Sequence, residues 1–484
     1  MNFAALAIAL PFLAAVLLGL LGAPRQGAVA NAAVSAALFV LTLAVFWGHG
    51  AGLVAVDKLG ALFGTVTGFV GFSASLVNIG YVSADAARMP ARRWRLYHAL
   101  FQVVLGASLL GLYADNIGLL WAAMEGGTIA MTVGVSLYRT PTGLEAAWKY
   151  FILGGVGIGL ALFGTMLVYL AAQPALGPGF AAMSFAALSA HAAHMDGALL
   201  TLAFVFILFG YGTKAALAPL QGWLPDAYAE GPAPLTTALS GPLMNVALLA
   251  ILRFRHLLQA NFAAGGAALP PGPFLLTLGL ASLFLAAFSF SRRRDARRFF
   301  GFSSIEHSGV AAFAFGIGGA AAVFGGLLHM LLHTLIKSAL LQVLIRAAAL
   351  RGSTAPGHYG FSHLRGLIYS NKYTAWVLGA AMFALSGLPP SGLFASEFII
   401  ISQTIQRSPW ASLPLGLGLL LCAVAILRNH GPLVFGPAPV RTKPGRATLE
   451  THLVTLHLVL AVVLAFAMPP LLVHLLSHMA EALQ

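Results

Sequence analysis

YGTKAALAPLQGWLPDAYAEGPAP, residues 211–234, ends an apolar run that begins at Ala198 and carries no charge before Lys214. An ammonium inside a segment long enough to be lipid-buried is unfavourable by roughly 2.5–3.5 kcal/mol at the bilayer centre on insertion scales, so it faces a bundle interior with a partner or a water path. Pro219 and Pro225 follow at once. Each removes a backbone donor, so the helix carrying Lys214 is predicted to break and leave carbonyls free beside the charge. Broken helices at membrane depth are where transporters hold ions.

Composition sets the class. The chain has 484 residues, 59% of them apolar and 8% charged, with a mean hydropathy of +0.89; it has too few charges to cover a soluble globule. A membrane span needs about 20 apolar residues, and fourteen runs qualify, centred near residues 12, 38, 70, 105, 127, 160, 207, 245, 281, 312, 337, 388, 419 and 463. The first, FAALAIALPFLAAVLLGLLG, lacks a basic leader and reads as a retained span.

A net charge of +13 raises the question of nucleic acid, but the distribution of the charge excludes it. Of the 26 Lys and Arg, 20 fall in alternate loops: Arg25; Arg88, Arg92, Arg93 and Arg95; Arg139 and Lys149; Arg292, Arg293, Arg294, Arg297 and Arg298; Arg346, Arg351, Arg365 and Lys372; Arg428, Arg441, Lys443 and Arg446. Lys58, Arg253, Arg255 and Arg407 lie in the other set, while Lys214 and Lys337 are inside spans. The basic set marks the cytoplasmic side, which with fourteen spans puts both termini on the outer side of the inner (cytoplasmic) cell membrane. The lone Cys422 cannot support an iron–sulfur or nickel–iron centre, so no cofactor is expected and any redox chemistry belongs to other subunits.

Few polar groups interrupt the spans, and these are the candidate site. The first two spans carry no charge and read as scaffold; Asp57 and Lys58 precede the third as a solvated pair. Glu125 lies mid-span beside Gly126 and Gly127, where a carboxylate must be paired, hydrated or protonated and the glycines admit a close neighbour. The glycine run LGGVGIGLALFG in the next span has no preceding strand and reads as close helix packing, not as a phosphate loop. Asn245 sits mid-span, suited either to an interhelical hydrogen bond or to a water wire. FFGFSSIEHSGV places Glu306 and His307 near the cytoplasmic end of the tenth span, solvated or ion-paired. In GGLLHMLLHTLIKSALLQVLI, His329, His333 and Lys337 recur every four residues on one face. Two such histidines have metal-ligand spacing, but no acidic or thiol ligand accompanies them and a Lys follows on the same stripe, so the row reads as a proton relay and no metal site is expected. AMFALSGLPPSGLFASEFIIISQ is broken at Pro389 and Pro390 and carries Glu397 in its second half.

The spacing repeats: 89 residues separate Glu125 from Lys214, and 91 separate Glu306 from Glu397. The expected fold is therefore an all-α polytopic membrane protein of about 14 transmembrane helices. Residues 1–95 form a three-helix scaffold, 96–256 a first five-helix repeat, 270–430 a second, and 450–484 a closing helix. Five is odd, so the repeats are inverted, with broken helices 7 and 12 as counterparts.

Glu125, Lys214, Lys337 and Glu397, with GYGTKAALAPLQGWLPDAYAEGPAP and LSGLPPSGLFASEF, resemble the antiporter-like subunits of respiratory complex I, membrane-bound hydrogenases and Mrp-type cation/proton antiporters. WAAMEGGTIAMTVGVSLYRTPTGLEAAWKYFILGGVGIGLALFG and FGFSSIEHSGV are closest to component F of hydrogenase-4 and formate hydrogenlyase complexes. The resemblance implies that Glu125 and Lys214 are an energy-coupling pair, Lys337 the central relay and Glu397 the outlet; Glu306, His307 and Lys149 complete the candidate pathway. It also implies other membrane subunits and peripheral redox subunits as partners, and protons, or Na⁺ in their place, as the cargo. Asn245 stands where complex I chains usually have Lys, and Gln221 where the family usually has His. No long lateral helix follows the last span, as in the M-type subunit. Two functions remain open, a proton-translocating subunit of a redox-driven complex and a subunit of a cation/proton antiporter or an energy-coupled bicarbonate uptake system; an inactive scaffold is a third.

Overall fold

The computed structural model describes residues 2–20, 23–48, 52–290, 294–439 and 448–484. Arg292, Arg293, Arg441, Lys443 and Arg446 of the basic-loop set lie outside the described residues. The described chain is helical throughout, with only isolated bridges such as Val54 to Ala114 between extended residues. Among the described residues twelve helices are long and apolar enough to cross a membrane, and the protein is a multi-pass membrane protein.

In chain order the α-helices are α1 (Phe3–Leu20), α2 (Pro24–Ala44), α3 (Lys58–Asp85), α4 (Ala91–Tyr113), α5 (Ile117–Val135), α6 (Pro141–Leu176), the short α7 (Phe185–His191), α8 (Gly197–Lys214), α9 (Trp223–Glu230), α10 (Ala233–Ala238), α11 (Met244–Ala263), α12 (Gly272–Ser289), α13 (Ala296–Ile317), α14 (Ala320–Leu350), the one-turn α15 (Phe361–Leu364), α16 (Lys372–Leu385), α17 (Gly392–Arg407), α18 (Pro409–Phe435), α19 (Leu449–Phe466) and α20 (Pro470–Ala482). Helix α13 and the pair α16–α17 fall at the predicted centres 312 and 388 without meeting the length and hydropathy of a span, the first because Glu306, His307 and its serines lower its hydropathy, the second because it is broken. The closing segment is two helices, not one: Pro469 and Pro470 separate α19 from α20.

Side-chain caps fix the starts. Asn116 Oδ1 accepts from Gly118 N (2.9 Å) and Leu119 N (3.0 Å) ahead of α5, Asp295 from Arg298 N (2.9 Å) ahead of α13, and Ser391 from Phe394 N (3.2 Å) ahead of α17; each occupies one or two of the donors a helix start leaves unpaired. Asp57 is not a solvated partner of Lys58. It caps α3 through Gly60 N (2.5 Å) and binds Arg253 Nη2 of α11 at 2.7 Å.

Helix α8 ends at Lys214 and α9 begins at Trp223, so the predicted break falls directly behind the ammonium. The freed Thr213 carbonyl accepts from Trp223 Nε1 (2.9 Å), and Ala218 N donates to Ser282 Oγ of α12 (2.8 Å). The following turn is held from outside by Arg297 of α13, whose Nε and Nη2 donate to the carbonyls of Tyr228 (2.5 Å) and Gly231 (2.6 Å) while its guanidinium lies 4.7 Å from the Tyr359 ring. Arg297→Ala is expected to lower stability by about 1–3 kcal/mol for each buried carbonyl left unpaired, read as a lower melting temperature of the detergent-purified protein; a wild-type midpoint would show that the turn holds without it.

The glycine run of α6 is packing surface: a Cβ at Gly157 would meet Thr213 at 2.6 Å, and one at Gly164 would meet Ile207 at 2.6 Å. Gly155 and Gly159 on the same helix, and Gly126 on α5, have no neighbour within 4 Å and face outward. Helices α10–α11 and α14 form the axis of the molecule, their membrane windows 100% buried, whereas those of α12 and α19 are 28% and 22% buried. Neighbour relations recur. Helix α4 packs on α5, α5 on α6, α6 on α8 and α9, and α8 on α11; in the same order α12 packs on α13, α13 on α14, α14 on α16 and α17, and both of these on α18.

Candidate functional site

Lys214 Nζ lies 5.3 Å from the centroid of Tyr150 on α6, and a Cβ at Gly154 would come within 2.8 Å of it. Tyr150 is fixed in turn by Trp223, ring centroids 4.4 Å apart. The absence of a side chain at Gly154 is what gives the ammonium its place. Among the described residues no ion pair involves Lys214, and its Nζ has no hydrogen-bond partner. Glu125 acts on it electrostatically without touching it. The expected coupling pair is thus not a contact ion pair here: Glu125 is only half-buried, on the outer side of α5, whereas Lys214 is 2% exposed. Glu125 Oε2, Tyr150 Oη and Lys214 Nζ are all buried atoms without a protein partner, the condition that hydration normally satisfies.

From there the buried polar groups continue inward. Tyr228 Oη of α9 lies 3.2 Å from Ser304 Oγ of α13. Between α10 and α11 the backbone widens into one π turn, Leu239–Leu243, around Pro242; such bulges re-aim side chains at functional sites. Asn245 follows, and its Nδ2 donates to Thr334 Oγ1 of α14 at 2.8 Å. That is a direct interhelical bond and no bridging water is needed.

The second cluster joins three helices. Lys337, on α14, donates to the Phe300 carbonyl and to Ser303 Oγ, both on α13, and is wholly buried. His307 Nδ1 is 3.1 Å from His329 Nε2, the His307 and His333 rings are 4.8 Å apart, and His329 Nδ1 is 3.0 Å from Ser396 Oγ on α17. Glu397 completes the group: ligand atoms of His307, His329 and Glu397 all lie within 4.8 Å of one another. The expectation that no acid accompanies the histidines fails because Glu397 arrives from α17, 68 residues beyond His329 and 90 beyond His307 in sequence. Its carboxylate rests on Gly387 in the break before α17, where a Cβ would meet Oε2 at 2.3 Å and φ is +68°; the break therefore serves to seat the acid.

Glu306 is buried rather than solvated, and among the described residues it makes no ion pair. It is 3% exposed, faces the Cys422 thiol of α18, and lies within the fields of Lys337 and Glu397. Lys149 is not in this interior. It pairs at the surface with Glu145 (2.6 Å) and Asp226 (3.0 Å), and Asp226 also holds Arg298 (3.1 Å). Gln221 is buried near the α8–α9 break, its Oε1 without a partner.

The model of the NADH:quinone oxidoreductase/Mrp antiporter transmembrane family matches residues 114–425, from the cap of α5 into α18. The chain belongs to that family. This family member is 44% identical over 394 residues, 81% of either chain, to a protein of Methylacidiphilum infernorum named hydrogenase-4 component F homolog. It is 27% identical over 427 residues, 87% of this chain and 88% of the other, to NADH-quinone oxidoreductase subunit 14 of Thermus thermophilus. Its fold matches a chain of the membrane-bound sulfane sulfur reductase, an archaeal respiratory membrane complex, with a TM-score of 0.83 at 22% identity, covering 99% of this chain and 97% of that one.

Proposed function

We propose that this antiporter-family chain is the proton-translocating membrane subunit of a redox-driven complex. One observation carries the reading: Lys337, His333, His307, His329 and Glu397 form a buried succession of exchangeable groups across α13, α14 and α17, in a chain whose 44%-identical relative bears the name hydrogenase-4 component F homolog. Buried titratable groups at membrane depth mark ion paths, and the imidazole-rich donor set suits protons better than Na⁺, which prefers oxygen ligands alone.

In this reading Lys214 holds its proton while Glu125 is ionised, each charge offsetting the burial of the other. A conformational change in a neighbouring membrane subunit against the outward face of α5 and α6 alters their separation; the proton leaves Lys214, passes inward along the Tyr228 and Asn245 region to Lys337, and exits through the histidines to Glu397. The basic loops favour an inner-membrane topology with both termini outside. The recurring neighbour order of α4–α11 and α12–α18 supports fourteen spans in two inverted repeats.

The test is what travels with the chain. Tagged protein purified from native membranes in mild detergent is expected to bring peripheral redox subunits with iron–sulfur signals, none of which this chain can supply from one cysteine. Recovery with other antiporter subunits alone, or with a large soluble zinc protein, would instead establish the transport or bicarbonate reading.

A further inference from the structure

Helix α4 opens with a charge pattern that its own dipole opposes. In PARRWRLYHAL, residues 90–100, Arg92, Arg93 and Arg95 follow Pro90 with no acidic residue in the first turn and no side-chain cap, so three cations stand at the positive end of a helix. Arg139, on the turn between α5 and α6, joins them around one cavity of about 610 Å³, whose other walls include Gly19 of α1 and Leu96 and Ala99 of α4. Among the described residues no carboxylate pairs with any of the four arginines. The acids nearest to them in sequence, Asp85 and Glu145, are held by Arg88 at 2.9 Å and by Lys149 at 2.6 Å.

Arg139 has a φ of +54°, a conformation that glycine adopts freely and a residue with a side chain does not. If the turn alone mattered, glycine would serve at no cost; an arginine held there points to a use for its guanidinium. Below the cavity the surface turns apolar. Leu13, Val16, Leu17 and Leu20 of α1 recur at three- and four-residue spacing and are 64–75% exposed. This strip begins beside Gly19, where a Cβ would meet nothing within 4 Å, and descends about 10 Å along the helix at 1.5 Å per residue. The positive-inside bias explains cations that stand exposed and apart, as Arg365, Lys372 and Arg428 do. It does not gather four of them on one cavity above an apolar strip.

We propose that this cavity binds the phosphate headgroup of an anionic phospholipid from the leaflet on the basic-loop side, with the acyl chains along α1, and that the lipid fastens α1 to α4 and to the α5–α6 turn. Planar guanidiniums meet phosphate oxygens two bonds at a time. A bound anion also offsets the mutual repulsion of the four arginines and their opposition to the α4 dipole. A zwitterionic headgroup carries its own cation and lacks that net charge. The site is independent of the proton-translocation reading.

The test titrates dioleoylphosphatidylglycerol and dioleoylphosphatidylcholine into the detergent-purified, delipidated protein, counting bound lipid by native mass spectrometry and following the thermal midpoint. The phosphatidylglycerol is expected to bind saturably and raise the midpoint, and the phosphatidylcholine to do neither. The triple variant Arg93→Gln, Arg95→Gln, Arg139→Gln is expected to bind the anionic lipid about 100-fold more weakly, about fivefold for each arginine. Arg365→Gln, Lys372→Gln, Arg428→Gln removes the same charge elsewhere on the basic side and is expected to keep wild-type affinity. Equal loss in the two triple variants would reduce the effect to general surface potential and overturn the site. Equal binding of the two lipids overturns it as well, leaving ordinary boundary lipid, as does stabilisation by inorganic phosphate alone, which would make this a free-anion site. Saturable binding of neither lipid would leave the cavity to an acidic segment of a neighbouring subunit. The comparison of lipids on the wild-type protein decides even where a triple variant fails to fold.

Discussion

Lys337→Met is expected to abolish proton translocation, by about 100-fold or more, while the complex assembles and its electron transfer persists or slows only through loss of coupling. Methionine matches the length of the lysine stem and fills the same buried volume, so packing between α13 and α14 changes little. What goes is the only amine in the cluster, and with it the donor to Ser303 and the Phe300 carbonyl. Neither is stranded, because the Ser303 hydroxyl already donates to the Phe300 carbonyl at 3.0 Å, so the change is not expected to unfold a helix whose window is wholly buried. Proton uptake by vesicles, measured beside donor oxidation, decides: wild-type pumping in Lys337→Met would show that the path runs elsewhere.

Glu125→Gln and Lys214→Met are each expected to stop coupled transport, since one leaves an ammonium with no carboxylate and the other a carboxylate with no ammonium. For stability the double variant is expected to be milder than the sum of the singles, because each single change strands a charge. The geometry tempers the size of this effect. The two groups do not touch, and Glu125 is half-buried, so the coupling belongs at the low end of the 0.5–3 kcal/mol range of interacting residues, about 0.5–1 kcal/mol. A double-mutant cycle on thermal midpoints, paired with transport, checks both; full additivity together with transport in either single variant would remove the pair from the mechanism.

Much of this was legible in the sequence because charge inside an apolar run has few innocent explanations. Lys214, Lys337, Glu125 and Glu397 stood out for that reason, and the prolines after Lys214 and before Glu397 located both breaks. What escaped notice was short or distant. Ser303, Ser396 and Thr334 look like ordinary small residues in a membrane helix, where Ser and Thr serve packing as often as chemistry. Tyr228 was visible in the LPDAYAEGPAP turn, yet only the fold brings it to Ser304. The approach of Glu397 to His307 and His329 depends on how α17 crosses α14, which no local periodicity encodes. The π turn at Leu239–Leu243 is hidden because Pro242 announces an irregular backbone without saying which kind.

The outward glycines near Glu125 carry a thermodynamic consequence. With Gly126 on α5 and Gly155 and Gly159 on α6 open to approach, a docking helix would come close to the backbone on either side of the half-buried carboxylate and change its surroundings by its mere presence. Docking and protonation of Lys214 are then linked equilibria. Whatever factor the neighbour applies to the lysine's affinity for its proton, the proton must apply to the lysine-bearing chain's affinity for its neighbour. Association measured against pH therefore reports the coupling free energy without any electron being transferred, and a binding constant for the isolated chain has meaning only at a stated protonation state.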